Sequence, residues 1–189
     1  MRVKVESLSL IKIVLAITAI LSQNIFTLPA VERKKFAMDA FDKKILKILQ
    51  NDCTASVSDV ADQVGLSTTP CWRRIQAMEK SGIIKGRVAL ADPEKLNVGL
   101  TVFVTIKTNQ HNPKWLSEFR KVAEDFPEII EFYRMSGEVD YLLRVAVPDM
   151  KAYDHFYKRL ITRASFADIS SSFAMEEIKY TTALPIDYI

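Results

Sequence analysis

The chain of 189 residues predicts an α+β protein in two parts, one all-helical and one built on a sheet. Three observations carry this reading. From Asp39 to Lys80, apolar residues recur at helical spacing in three short runs separated by turn residues. From Val98 to Lys107 the period changes to two, the signature of a strand. Beyond that point two helical runs, opened by Pro113 and by Pro148-Asp149, alternate with strand-like runs, so that the order reads β-α-β-β-α-β.

Composition sets the limits. Hydrophobic residues make up 49% of the chain, enough for ordinary cores. The net charge is +3, but residues 1–37 hold six Lys/Arg against two acids. That leader therefore carries +4 and leaves −1 for the rest, so any nucleic-acid role rests on local placement of charge. Cys53 and Cys71 show no CxxC or Cys/His metal spacing and read as reduced thiols, Cys71 buried and inert. No cofactor is expected. Residues 1–37 place Arg2 and Lys4 before an apolar run, Ile13 to Leu21, with Leu28-Pro29-Ala30 behind it. That order resembles an export signal, and the run is short of the ~20 residues that span a bilayer. The preferred reading is an over-extended start or a dispensable tail, because Met38 stands directly before the first amphipathic helix. Export, with a mature start near Val31, is the alternative.

Residues 38–92 form the first domain. Asp39 to Asn51 presents Phe41, Ile45, Ile48 and Leu49 on one side, with Asp42, Lys43, Lys44 and Lys47 outside. The next helix is capped by Ser56 or Ser58 and carries Val57, Val60, Ala61 and Val64; Gly65 ends it, and Leu66 drops inward. Ser67 caps a third helix with Pro70 in its first turn. Cys71, Ile75 and Met78 face inward there, while Thr69, Arg73, Gln76 and Lys80 lie opposite and Trp72 on the flank. A second helix of a pair, with short buried residues on one side and Arg, Thr and Gln on the other, suits a DNA major groove. Ile83-Ile84, the turn Lys85-Gly86-Arg87 and Val88 to Ala91 read as a small β wing, completing a winged helix-turn-helix. Asp92-Pro93-Glu94 breaks the structure and marks a boundary.

Within this domain Thr68, Thr69, Trp72, Arg73 and Gln76 are the base-edge candidates, since the first turns of a recognition helix lie deepest in the groove. Arg to guanine and Gln to adenine are the informative pairs, each worth roughly 1–3 kcal/mol of discrimination. Arg74 lies nearer the core side and is assigned to a phosphate, as are Lys85 and Arg87 of the wing. The plainer alternatives are a solvated charged face for Arg73 and packing against the wing for Trp72.

Residues 93–189 form the second domain. Val98, Leu100, Val102, Val104 and Ile106 alternate with Gly99, Thr101, Phe103, Thr105 and Lys107 in the first strand. A helix from Pro113 carries Trp115, Phe119, Val122 and Phe126. Strands follow at Ile129 to Met135 and Tyr141 to Val147, then a helix with Tyr153, Phe156, Tyr157 and Leu160, then a last strand, Ile169 to Tyr180. This is the ferredoxin-like arrangement. Two helices cover only one face of four strands, yet Phe103 and Tyr133 fall on the other, an apolar patch best covered by a second copy. A homodimer would present two recognition helices to the half-sites of an imperfect palindrome in double-stranded DNA. Catalysis finds no support. There is no nucleophile motif and no phosphate-cradling loop, and Glu176-Glu177 on a strand would point to opposite faces. His111 and His155 show no ligand spacing.

The stretches LSTTPCWRRIQAMEKSGII, KGRVALADPEKLNVGL, SGEVDYLLRVAVPDM and SFAMEEIKYTTALP resemble the Lrp/AsnC (leucine-responsive/asparagine-operon, feast–famine) regulators, from about Met38 to the C-terminus. The resemblance implies a winged helix-turn-helix followed by a βαββαβ effector and oligomerisation domain, with dimers assembling into tetramers or octamers. It also implies an amino-acid effector bound between dimers. DCTASVSDVADQV, TTPCWRR and SSFAMEEIKYTTALPI are most similar to the cysteine-responsive activators of the family. For the effector, the family's glycine and aspartate in the turn between the second and third strands match Gly137 and Asp140, with Ser136 and Tyr141 beside them. On residues alone the same turn reads equally as a plain β-turn whose Asp caps the next strand. A cytoplasmic, nucleoid-associated protein without a membrane partner is expected. The competing function is a stand-alone amino-acid-binding ferredoxin-like module whose helices serve only assembly.

Overall fold

The computed structural model describes residues 37–188, and the expectations for the charged, apolar leader lie outside them. The described chain forms two compact units. One holds the residues up to Gly86 together with a C-terminal tail from Ala183, and the other runs from Arg87 to Thr182. The sequence reading placed the boundary at residue 92 and gave the whole C-terminus to the second domain; the structure returns the chain end to the first.

The first unit contains α1 (Ala40–Asn51), α2 (Val57–Val64) and α3 (Thr68–Lys80). Its start is fixed by a capping box, in which Asp39 Oδ1 accepts from the N–H groups of Phe41 and Asp42 and Asp42 Oδ2 accepts from that of Asp39. The inward face of α1 is Asp42, Ile45, Leu46 and Leu49, spaced i, i+3, i+4, i+7. Two expectations are thereby corrected. Asp42 is 3% exposed, not outside, and Phe41 is 38% exposed, because an ion pair described below draws the acid in. Ser56, rather than Ser58, caps α2 by accepting from the Asp59 N–H at 3.1 Å. Gly65 ends α2 at φ +74°, where glycine is unstrained. Ser67 holds the N-cap position of α3, yet its side chain makes no capping bond. Ile45, Val60, Cys71, Ile75 and Met78 close the core between the three helices, each worth roughly 1.5–3 kcal/mol of burial for the larger side chains.

No strand wing forms among the described residues. After α3, Gly82 turns left-handed at φ +77°. The N–H groups of Ile83 and Ile84 then donate to Met78 O at 3.0 and 3.2 Å, closing the helix end instead of starting a strand. Val88 and Leu90 beyond them are 72% and 64% exposed in a stretch without regular secondary structure. In the tail, Gln50 Nε2 donates to Leu184 O at 3.2 Å and the Leu184 N–H donates to Gln50 Oε1 at 2.7 Å. Ile186 packs on the same core as the three helices.

The second unit contains β1 (Leu100–Lys107), α4 (Pro113–Glu124), β2 (Ile129–Arg134), β3 (Tyr141–Val147), α5 (Met150–Arg163) and β4 (Asp168–Phe173). The strands are antiparallel in the order β2-β3-β1-β4, as the sequence order implied. Asn112 and Asp149 cap the two helices through their side chains. One sheet face presents Val102, Val104, Ile106, Leu143 and Val145, all at 0% exposure, to Phe119 of α4 and Phe156 and Leu160 of α5. The other face carries Phe103 and Tyr133, 37% and 49% exposed, around an Arg144–Glu131 ion pair. The last strand stops at Phe173, not Tyr180. Phe173 pairs with Val102 and Ala174 makes the final bond to Thr101, so β1 offers little further ladder. Glu176 and Glu177 therefore lie beyond the sheet.

Candidate DNA interface and effector turn

On α3 the helical period sorts the side chains. Cys71, Ile75 and Met78 are buried, whereas Thr68, Thr69, Trp72 and Arg73 are exposed along the first two turns. Burial pushes the Cys71 thiol up, so it stays protonated and unreactive. Trp72 is 51% exposed. An exposed indole beside an exposed guanidinium offers an apolar face and a bidentate donor, both suited to base edges. Gln76 is half-buried and donates through Nε2 to Glu79 Oε2 at 2.8 Å, so its amide is engaged within the helix. Lys85 and Arg87 are exposed in the irregular stretch after α3.

Arg74, expected at a phosphate, forms an ion pair within the helical unit. Its Nη1 donates to Asp39 Oδ2 at 2.7 Å and to Asp42 Oδ1 at 2.8 Å, and the guanidinium lies 5.5 Å from the centre of the Phe41 ring. The Asp42 and Asp39 carboxylates hold the Arg74 pKa above its usual value. The Asp42 backbone N–H, foremost, and the Arg74 side chain hold the Asp39 carboxyl below its usual value against desolvation. Sequence reading missed this contact because the partners lie 32 and 35 residues apart. The acidic spacing of Asp39 and Asp42 signalled a capping box, but nothing local named the arginine.

In the second unit, the turn between β2 and β3 exposes Ser136 and Gly137, with Gly137 at φ +122°. Asp140 is half-buried, and its Oδ2 accepts from the Thr108 N–H at 2.8 Å. Its own N–H donates to Ile106 O and its carbonyl accepts from Met135 N–H. His111 Nδ1 stands 3.7 Å from Asp140 Oδ1. Asp140 thus ties the turn to the residues that follow β1 and keeps one oxygen directed at His111. Thr108 and His111 were not anticipated here. The Ile106–Tyr141 register brings them beside the turn, and only sheet pairing reveals it. Tyr141 is placed differently from expectation. Its ring is 5% exposed and packs against Trp115, Phe119 and Phe132, so it builds the core and supports the turn from below.

Comparison with known proteins agrees with both halves. Residues 38–85 match the winged helix-turn-helix DNA-binding family, and residues 101–184 match the Lrp/AsnC ligand binding domain. The chain is 53% identical over 151 residues to the DNA-binding transcriptional activator DecR of Escherichia coli (strain K12), covering 79% of this chain and 99% of that protein. A crystal structure of an AsnC family transcriptional regulator from Agrobacterium tumefaciens is 62% identical with a TM-score of 0.78, covering 80% of this chain and 99% of the other. A transcriptional regulator from Neisseria meningitidis, solved as its L-Met complex, is 33% identical with a TM-score of 0.77 over the same shares of the two chains. A helix-turn-helix with an exposed polar recognition face, joined to a four-stranded ligand-binding unit, makes this chain a DNA-binding transcriptional regulator of the Lrp/AsnC family.

Proposed function

We propose that this regulator reads an imperfect palindrome as a homodimer or a higher tetramer or octamer, activates transcription, and responds to an amino acid, with cysteine the first candidate. The observation that carries the effector half is the β2–β3 turn. Gly137 exposes backbone there, and Asp140 keeps a carboxylate oxygen at its rim, the donors and acceptor that an amino acid's carboxylate and ammonium require. The Neisseria meningitidis relative bound to L-Met and the resemblance of the chain to cysteine-responsive activators support this reading. The half-exposed Phe103 and Tyr133 supply a surface for a second copy of the sheet. Effector binding at the turns then shifts the population of dimer arrangements and so the spacing of two recognition helices. Such a protein works in the cytoplasm, on the nucleoid.

Two measurements test it. A thermal-shift screen of the twenty amino acids, cysteine first, should show stabilisation by at least one of them; a flat screen removes the sensor. Footprinting of the region upstream of its own gene should show salt-sensitive protection that Arg73→Ala abolishes. Unchanged protection by that variant would displace Arg73 from the base-reading set.

A further inference from the structure

We propose that Arg74 is a positioning residue of DNA recognition, which locks α3 onto the N-terminal cap of α1 and so fixes the direction in which Trp72 and Arg73 face the groove. The geometry commits the Nη1 edge of the guanidinium to the start of α1. The terminal nitrogen Nη1 carries two N–H donors, and both are used, one on Asp39 Oδ2 and one on Asp42 Oδ1. The remaining carboxylate oxygens cap α1, Asp39 Oδ1 on Phe41 and Asp42 N–H and Asp42 Oδ2 on Asp39 N–H. One guanidinium therefore closes a network that joins the start of one helix to the middle of another. Two carboxylates against one arginine leave the cluster net negative, which repels a phosphate more than it attracts one. Only 5% of the Asp42 side chain is exposed, so losing Arg74 would leave a buried anion without its partner.

The rotational consequence follows from helix geometry. Successive residues on α3 are turned about 100° from one another. An inward anchor at Arg74 therefore sets the azimuth of Arg73 and, one step further, of Trp72. Without the anchor, Cys71, Ile75 and Met78 still hold α3 to the core, but Cys71 is small and Met78 flexible, which leaves the β-branched Ile75 alone to resist a roll.

Fluorescence anisotropy on the full chain tests the role. The probes are a duplex selected by the unaltered chain from a random-sequence pool and a non-specific duplex of equal length, each over a range of salt. Asp42→Asn removes a negative charge from a residue that faces the core. If Arg74 positions the helix, this variant weakens binding to the selected duplex, by about tenfold for one misplaced base contact, and leaves non-specific binding unchanged. Arg74→Gln should then lose a similar factor with an unchanged salt slope, and the double variant should be no worse than Arg74→Gln alone. Tighter binding by Asp42→Asn would overturn the proposal, since it would mean that a released Arg74 reaches phosphate. So would a salt slope reduced by about 0.9 per arginine in Arg74→Gln. Asp42→Asn is nearly isosteric, so its arm decides the matter even where Arg74→Gln melts too low to assay.

Discussion

Deleting the chain after Thr182 should loosen the DNA-binding unit while sparing the sheet that precedes the deletion in sequence. The tail belongs to the first unit through two kinds of contact. Ile186 is half-buried against the helical core, which contributes about 1 kcal/mol, half of what full burial of such a side chain gives. The paired bonds between the Gln50 amide and the Leu184 backbone are solvent-exposed and add about 0.5 kcal/mol each, the low end for neutral hydrogen bonds. The ordering entropy of the docked residues offsets part of this, leaving a net of about 1 kcal/mol. A unit this small unfolds with a urea slope of about 1 kcal/mol/M, so the midpoint should fall by about 1 M. The chain has two tryptophans, Trp72 in the first unit and Trp115 in the second, and in a Trp115→Phe background Trp72 fluorescence reports the first unit alone. Gln50→Ala should reproduce about half of the shift. An unmoved Trp72 transition in the truncated chain would refute the reasoning, and would mean that the three helices are stable without their tail.

Two further outcomes are expected. Gly137→Ala places a Cβ at φ +122°, a strain of about 1–3 kcal/mol, and should weaken amino-acid binding in calorimetry while the fold survives; unchanged affinity would show that the turn is not the effector site. The Asp39 carboxyl has its pKa lowered in the folded chain, foremost by the Asp42 N–H, so its contribution to stability is present above its unfolded value near 3.8 and is lost as pH falls through the lower folded value. Acid unfolding below about pH 4 should therefore lose part of its pH dependence in Asp39→Asn; an identical acid limb in the variant would count against the cap.

Much of the fold was legible because its signals are local. Gly65 ended its helix where a left-handed residue was needed, and the alternation from Leu100 to Lys107 read as a strand. The residues read as wing strands form no strand in the described chain, since Ile83 and Ile84 look like the start of one but use their N–H groups to close α3. The last strand was overdrawn because its length depends on how far β1 extends, which its own residues do not encode.

By itself the sequence determined the order of helices and strands, the inward stripe of α3, the exposure of Thr68, Thr69 and Arg73, and the family motifs. Period and capping chemistry act within a few residues, so they can be read along the chain. Tertiary structure decided the partners of Arg74, the burial of Asp42, the approach of Thr108 and His111 to Asp140, the role of Tyr141 as core, and the return of the tail to Gln50. The polar contacts among these join residues about thirty positions apart or more, and a charged or polar group in one dimension carries no sign of which distant partner will satisfy it once water is excluded.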